Sequence, residues 1–242
     1  MEPAADENEI IVVCGQTLRR GAEQLPCAAE TVDADLSRLA VLPNLRVLDL
    51  GLTQVTDAGL KHLEHVPKLE RLHLGPTRVT SEGLKHLAGL TNLRVLELHR
   101  TQVKDEGLEH LAGLTKLKRL RLSTTRVTGV GLEHLIGLSE LESLDLANTP
   151  LTDEGLKHLA GLARLHSLDL RSTQVTDEGI KHIAGLANLE TLLLDNTQVT
   201  DAAVRYLAGF TKLTRLRLRG TQVTAKGFAR LDKALPDCRL TR

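Results

Sequence analysis

The sequence predicts a right-handed α/β solenoid, an arc with a parallel sheet on its concave face and short helices on its convex face. A 24-residue unit recurs eight times without insertion. Each unit joins an alternating, strand-like half to a half with helical spacing. The chain has no Trp, one Tyr and two Phe, so leucine must fill the core. A unit this short cannot bury its apolar face alone and therefore stacks on its neighbours.

The first half of each unit is predicted to be a strand. In LRVLELHRT (93–101), Leu96 and Leu98 lie two residues apart and share the buried face, which leaves Glu97 facing solvent. Thr101 has a counterpart in every unit, and we expect it to be buried and to hydrogen-bond to the backbone of the next coil. The units begin at Leu45, Leu69, Leu93, Leu117, Leu141, Leu165, Leu189 and Leu213.

The second half of each unit is predicted to be a short helix. In VTSEGLKHLAGL (79–90), Thr80 is a suitable N-cap, and acidic residues follow it where the helix dipole favours them. Leu84 and Leu87 share one face. Gly83 lowers helix propensity, so we expect it to permit close approach to the neighbouring coil. Gly89 is expected to end the helix in the left-handed conformation.

The two ends of the chain are predicted to cap the stack. IIVVCGQTLRR (10–20) is expected to form a strand and a helix, and Leu240 to lie on a short closing strand. The predicted division is a disordered acidic tail at 1–9, an N-terminal cap with a partial repeat at 10–44, seven repeats at 45–212, and the eighth repeat with a C-terminal cap at 213–242.

The shared pattern LxxLxLxxTxVTxxGLxxLxGLxx resembles the leucine-rich repeat family, with threonine in the polar position of the strand motif. The VTDxGL motif and the ending ALPDCRL are similar to 24-residue bacterial repeats. The pattern also resembles ribonuclease-inhibitor-like and cysteine-containing repeats, the latter known from ubiquitin-ligase adaptors. The resemblance implies a protein-binding module that uses its concave sheet.

The amino-acid composition indicates which kinds of partner and which cellular compartment to expect. Lys plus Arg and Asp plus Glu both number 31, and this balance argues against nucleic-acid or anionic-membrane binding. Three cysteines, Cys14, Cys27 and Cys238, are too few for a disulfide framework. The acidic start lacks the features of a secretory signal, and no stretch approaches the roughly 20 apolar residues of a membrane helix. We therefore expect a cytoplasmic monomer.

One helix position carries a histidine in six successive units, with Tyr206 and Arg230 in the last two. A row of metal ligands or a pH sensor is one interpretation, and a half-buried packing position is the other. Metal ligands must converge to about 2 Å from one ion, whereas packed helices lie about 8–10 Å apart, which favours packing. The six residues are His62, His86, His110, His134, His158 and His182.

The solvent-facing strand positions form three columns across the sheet, and their variation shows that the fold does not require particular residues there. Arg119 and Arg121 border an acidic zone of Asp145, Asp169 and Asp195. These charges either orient a complementary partner or simply satisfy one another, and the sequence leaves both open. The candidate partner-binding residues are Arg71, Glu97, His99, Arg119, Arg121, Asp145, Asp169, Arg171, Asp195, Arg215 and Arg217.

Asp49, His73, Glu97 and His99 are predicted to lie side by side at one end of the sheet. Two histidines and two carboxylates could hold a divalent metal. A cross-strand charge ladder is the favoured interpretation, so no metal and no cofactor is predicted.

Three arginines alternate on the last full strand, at Arg215, Arg217 and Arg219. They could hold a carboxylate or phosphate. They could also be edge-strand charges that discourage pairing between molecules, and this second interpretation is favoured.

The sequence favours a non-catalytic module for a protein or peptide partner, because no phosphate-binding glycine loop, HExxH, CxxC or nucleophile turn is present. No aromatic residue lies on the predicted concave face, so either binding there is polar and relies chiefly on arginine, or the main contact with a partner lies elsewhere on the protein. Two alternatives remain open. One is a structural or engineered consensus-like scaffold without a ligand, and the other is a recognition subunit like a ubiquitin-ligase adaptor or an effector.

Overall fold

A computed structural model describes residues 10–19 and 21–242. The predicted disordered tail at 1–9 lies outside the described residues. Within them, ten strands form one sheet in strict chain order, because each coil adds one strand beside the last. These strands are β3 Gln24–Pro26, β4 Val47–Asp49, β5 Arg71–His73, β6 Val95–Glu97, β7 Arg119–Arg121, β8 Ser143–Asp145, β9 Ser167–Asp169, β10 Thr191–Leu193, β11 Arg215–Arg217 and β12 Arg239–Thr241.

The strands are parallel, and equivalent residues pair with one another. Leu96 on β6, for example, pairs with Leu72 on one side and Leu120 on the other. This register turns one leucine of every strand toward the core. Leu72, Leu96 and Leu120 are fully buried there. The arrangement is the parallel-sheet solenoid that the 24-residue period predicts.

Short helices return the chain from one strand to the next, and most of them are 3₁₀ helices. Side chains three residues apart eclipse in a 3₁₀ helix, so Leu84 and Leu87 both point into the core, where they are fully buried. In the described chain the α-helices are α1 Asp57–Leu60, α2 Asp153–Leu156, α3 Asp177–His182, α4 Val204–Leu207 and α5 Ala225–Ala234. The 3₁₀ helices are Asp33–Val41, Lys61–His65, Ser81–Leu87, Asp105–Leu111, Val130–Leu135, Lys157–Leu159 and Asp201–Ala203.

The repeated threonine after each strand bonds within its own coil, so the predicted bond to the next coil is wrong. Thr101 Oγ1 donates to the carbonyl oxygen of Leu98 at 2.6 Å, and the other units repeat this bond. Thr101 itself is buried, as predicted. The hydroxyl therefore closes the turn that leads out of each strand.

A second ladder, which the sequence did not predict, links successive coils through an aspartate that begins six of the helices. The Asp57 carboxylate accepts a bond from Thr80 N at 2.8 Å and another from Thr80 Oγ1 at 2.6 Å. These aspartates thus tie the coils together, besides lying at a helix N-terminus. The other pairs are Asp33–Thr56, Asp105–Thr128, Asp153–Thr176, Asp177–Thr200 and Asp201–Thr224.

The two glycines of the helical half behave differently. A Cβ on Gly83 would lie 2.3 Å from Asp57 Oδ1, so the predicted close approach between coils is confirmed. Gly89 does not adopt the predicted left-handed conformation, and a Cβ there would meet nothing within 4 Å. The left-handed conformation occurs instead in the turn after the strand, for example at Arg100 with φ of 56°.

The caps differ in part from prediction. The segment predicted to form a strand and a helix forms an antiparallel hairpin of β1 Ile10–Val13 and β2 Gln16–Arg19. At the other end, Leu240 on β12 pairs with Leu216 on β11, so the predicted closing strand is present. None of the helices in the described part of the chain is both long and apolar enough to cross a membrane.

The histidine column lies on the helical side of the solenoid. All six histidines are half-buried, and Tyr206, also half-buried, packs against the core at the equivalent position. Half-burial at every copy is what a packing position requires.

Candidate functional site

The outward face of the parallel sheet carries three columns of side chains, and the register places their members on adjacent strands. Each column runs from the N-terminal to the C-terminal end of the sheet. The first column is Val47, Arg71, Val95, Arg119, Ser143, Ser167, Thr191, Arg215 and Arg239. The middle column begins Asp49, His73, Glu97, Arg121, Asp145, Asp169 and Leu193, and continues to Arg217.

The charges of the middle column are largely satisfied by one another. Arg121 lies between two acids, with Nη1 at 3.2 Å from Glu97 Oε2 and Nε at 3.3 Å from Asp145 Oδ2. Ser123 Oγ donates to the same Asp145 oxygen at 2.8 Å. The arginine therefore neutralises both of its neighbours across the strands.

The predicted acidic zone is not a free acidic surface. Asp169 and Asp195 are only 8% and 4% exposed. Arg171 Nε donates to Asp169 Oδ1 at 2.8 Å. Arg217 Nε lies 2.8 Å from Asp195 Oδ2, but its N–H does not point at that oxygen, so this contact is an ion pair without a hydrogen bond. For this zone the structure supports mutual satisfaction of charges.

The four groups considered for a metal form a chain of contacts. His73 Nδ1 lies 3.8 Å from Asp49 Oδ2, and His73 Nε2 lies 3.8 Å from Glu97 Oε1. His99 Nδ1 is likewise 3.8 Å from Glu97 Oε2. Because each contact joins only neighbours, the groups do not converge on one point. In the part of the chain that the structure describes, no set of three such residues could hold a metal ion.

The surroundings of His99 favour its neutral form. Burial and the nearby guanidinium of Arg121 lower its pKa, although Glu97 opposes the shift. Its Nδ1 is buried and has no hydrogen-bond partner among the described residues. A proton on that nitrogen would be unsatisfied, which favours the neutral tautomer protonated on Nε2.

The first column is different because its charged members are all arginines and none is paired with another described residue. Arg71, Arg119, Arg215 and Arg239 are exposed, and no ion pair or side-chain hydrogen bond to them occurs within residues 10–19 and 21–242. Sequence reasoning named the first three but missed Arg239. Each first-column residue directly precedes a core leucine of its strand. Because Leu240 was predicted to be such a leucine, the sequence could have placed Arg239 in this column.

A shallow depression of about 260 Å³ lies over the N-terminal part of this column. Half-buried Val95 lines it between Arg71 and Arg119. The remaining lining residues are Glu70, Arg94, Lys118, Glu142 and Ser143.

The arginines of β11 do not lie on the edge of the sheet. β12 pairs with β11 along its length, so Arg215 is next to Arg239 and the edge has moved one strand outward. The preferred interpretation of Arg215, Arg217 and Arg219 as edge-strand charges is therefore wrong.

A stack of identical strand–helix coils around one leucine core defines a repeat solenoid. Two family models, each described as leucine-rich repeat, match this chain, one at residues 115–175 and the other at 41–63 and 89–112. Internalin C2 of Listeria monocytogenes is similar in structure at 30% identity with a TM-score of 0.65, over 86% of this chain and 84% of that one. This chain belongs to the leucine-rich repeat family.

Two more distant structures share the fold alone. A leucine-rich repeat protein of Leptospira interrogans has 20% identity and a TM-score of 0.59, over 91% of this chain and 66% of that chain. The plant peptide hormone receptor RGFR1, solved in complex with RGF2, has 17% identity and a TM-score of 0.60. The match covers 84% of this chain but only 33% of the receptor. No curated protein matches.

Proposed function

We propose that this protein is a non-catalytic module that binds a protein or peptide partner through the concave face, the outward face of its parallel sheet. The observation that carries the proposal is a contrast inside the chain. The core leucines barely change from coil to coil, whereas the three columns on the sheet vary. The fold is therefore indifferent to these columns, and they are free to serve recognition.

Two physical features support the proposal. Leucine-rich repeat arrays present extended binding surfaces on their concave side. The columns are also attached to a continuous hydrogen-bonded sheet, so little conformational entropy is lost when a partner binds. Pairing within the middle column fixes several of its side chains before any partner arrives.

Site-specific photocrosslinking in a lysate of the native host tests the proposal without altering any charge. A crosslinking amino acid at Ser143 or Thr191 faces the concave side, whereas one at Ala112 or Ala160 lies exposed at the end of a helix. We expect one protein to crosslink from the concave positions only, and excess unmodified protein to compete it away. Crosslinking from the helix-end positions alone would refute the proposal, and none from any position would favour a scaffold without a ligand.

A further inference from the structure

The first column differs from the rest of the concave face because its positive charge is uncompensated. Between Arg71 and Arg239 it holds four arginines and no carboxylate. Arg215 and Arg239 are even direct neighbours on adjacent parallel strands, a like-charge pairing that destabilises a sheet. An anionic ligand bound to this column would reduce the repulsion between its arginines.

The acids around Arg71 and Arg119 are already paired with other cations, which explains why these two arginines have no partner among the described residues. Glu70 pairs with Arg46 and lies 3.8 Å from Arg94. Glu142 Oε1 accepts from Lys118 at 2.8 Å. Glu97 is engaged by Arg121. The lining of the depression therefore carries four cations and two anions, and both anions are bonded to cations other than Arg71 and Arg119.

The register gives Arg71 and Arg119 the geometry of a clamp. Both align with Val95 on the strand between them, so their Cα atoms are two strand spacings, about 10 Å, apart. Two extended guanidinium groups that start from this separation can converge over Val95. Each can donate two parallel hydrogen bonds to a carboxylate.

We propose that the Arg71–Arg119 clamp binds a carboxylate of an acidic peptide segment of the partner, an inference that rests on the proposed function. The column continues from the clamp through the hydroxyl groups of Ser143 and Ser167, which can donate to further carboxylates or to a peptide backbone. A peptide fits better than a nucleic acid because the column offers no aromatic side chain on which bases could stack.

Fluorescence anisotropy with labelled deca-glutamate as the probe tests the clamp. The variant Arg71→Gln/Arg119→Gln removes it. The variant Arg78→Gln/Arg126→Gln is a matched control, because it removes the same charge from two exposed arginines that lie off the strands at the same 48-residue separation. Neither of them has an ion-pair partner within residues 10–19 and 21–242. We expect the clamp variant to bind at least about tenfold more weakly and the control to bind like wild type. Arg71→Lys/Arg119→Lys should bind with intermediate strength, because lysine lacks the bidentate geometry.

Several results would overturn the inference. Equal losses in the clamp and control variants would show general electrostatic attraction, and loss only in Arg215→Gln/Arg239→Gln would place the anion site elsewhere. Tighter binding of a deca-thymidine oligonucleotide would identify a phosphodiester ligand in place of a peptide. If a partner crosslinks from Ser143 equally well in the wild-type protein and in the Arg71→Gln/Arg119→Gln variant, the clamp is not needed for binding. The inference then fails while the proposed function stands.

Discussion

The aspartate that begins six of the helices shows how one residue type can serve two roles. The sequence explains it by the helix dipole, and the structure adds two hydrogen bonds to the next coil. In Asp201 those bonds, donated by Thr224, also lower the pKa of the carboxyl group. Ser81 substitutes for aspartate in one coil and accepts from Lys104 N at 3.0 Å.

Asp177 and Glu178 separate these two roles. Both lie in the first turn of α3, but Asp177 accepts two bonds from Thr200, whereas Glu178 pairs only with exposed Lys181. We expect Asp177→Ala to lower the free energy of unfolding by about 1–2 kcal/mol, because a backbone N–H loses its acceptor. Glu178→Ala should leave the free energy of unfolding nearly unchanged, because an exposed ion pair contributes little. Urea unfolding measures both, and equal losses would attribute the effect to the dipole.

His99 should contribute to pH-dependent stability. Its lowered pKa means that the folded state binds this proton less tightly than the unfolded chain. Stability should therefore fall as pH drops through the ordinary value of 6.5, and the loss from this group should end below its folded pKa. His99→Gln should remove this component from urea unfolding compared at about pH 7.5 and about pH 5. An imidazole pKa at or above the ordinary value, measured by NMR titration, would contradict the assignment.

At the scale of the element, each helix is limited by the coil beside it more than by its own propensity. Glycine at the third helical position is unfavourable for a helix, yet Gly83 lies where the preceding coil leaves no room for a Cβ. The short 3₁₀ helices also reflect the packing of the coil, because the two leucines of each helix lie three residues apart and must both point into the core.

Gly83→Ala and Gly89→Ala should have opposite consequences although both replace a glycine of the same coil. The new Cβ at position 83 would collide with Asp57 and lie 3.1 Å from Leu60 Cδ1, so we expect a loss of about 1–3 kcal/mol. At position 89 the Cβ is unobstructed and the backbone is not left-handed, so we expect a gain of up to about 1 kcal/mol. Thermal and urea unfolding of both variants would test this. Loss of stability in Gly89→Ala would instead support the left-handed conformation that the sequence predicts for Gly89.

At the scale of the whole molecule, stability is distributed along one dimension. Each coil packs only on its neighbours, so a destabilising substitution should first loosen the coils around it and only then unfold the rest of the chain. The matching register of β3 through β12 makes the core continuous from end to end.

Adjacent leucines on β10 allow this to be tested. Leu192 is fully buried, whereas Leu193 belongs to the middle column and is half-buried. Leu192→Ala should cost about 2–5 kcal/mol and Leu193→Ala less than about 1 kcal/mol. Hydrogen exchange of Leu192→Ala should show lost protection in the coils from β10 to β12 before those around β4. Uniform loss along the chain would instead indicate a single cooperative unit.

The sequence by itself determined the fold. Its period fixed one strand and one helix per coil, and its alternation fixed which leucines, such as Leu96 and Leu98, enter the core. It also placed the columns, because identical coils can stack only in matching register. These features depend on covalent spacing, which is why they could be predicted.

Only the tertiary structure decided how the polar groups pair. On a parallel sheet each charged side chain has neighbours about 4.8 Å away on both sides, and the sequence does not say which of them it contacts. Arg121 is bound between two acids, whereas Arg119, two residues earlier, has no ion-pair partner in the described part of the chain. The bonds of Thr101 and Asp57 were misjudged or missed for the same reason. Spacing along the chain fixes the face of a side chain, and three-dimensional neighbours select its partner.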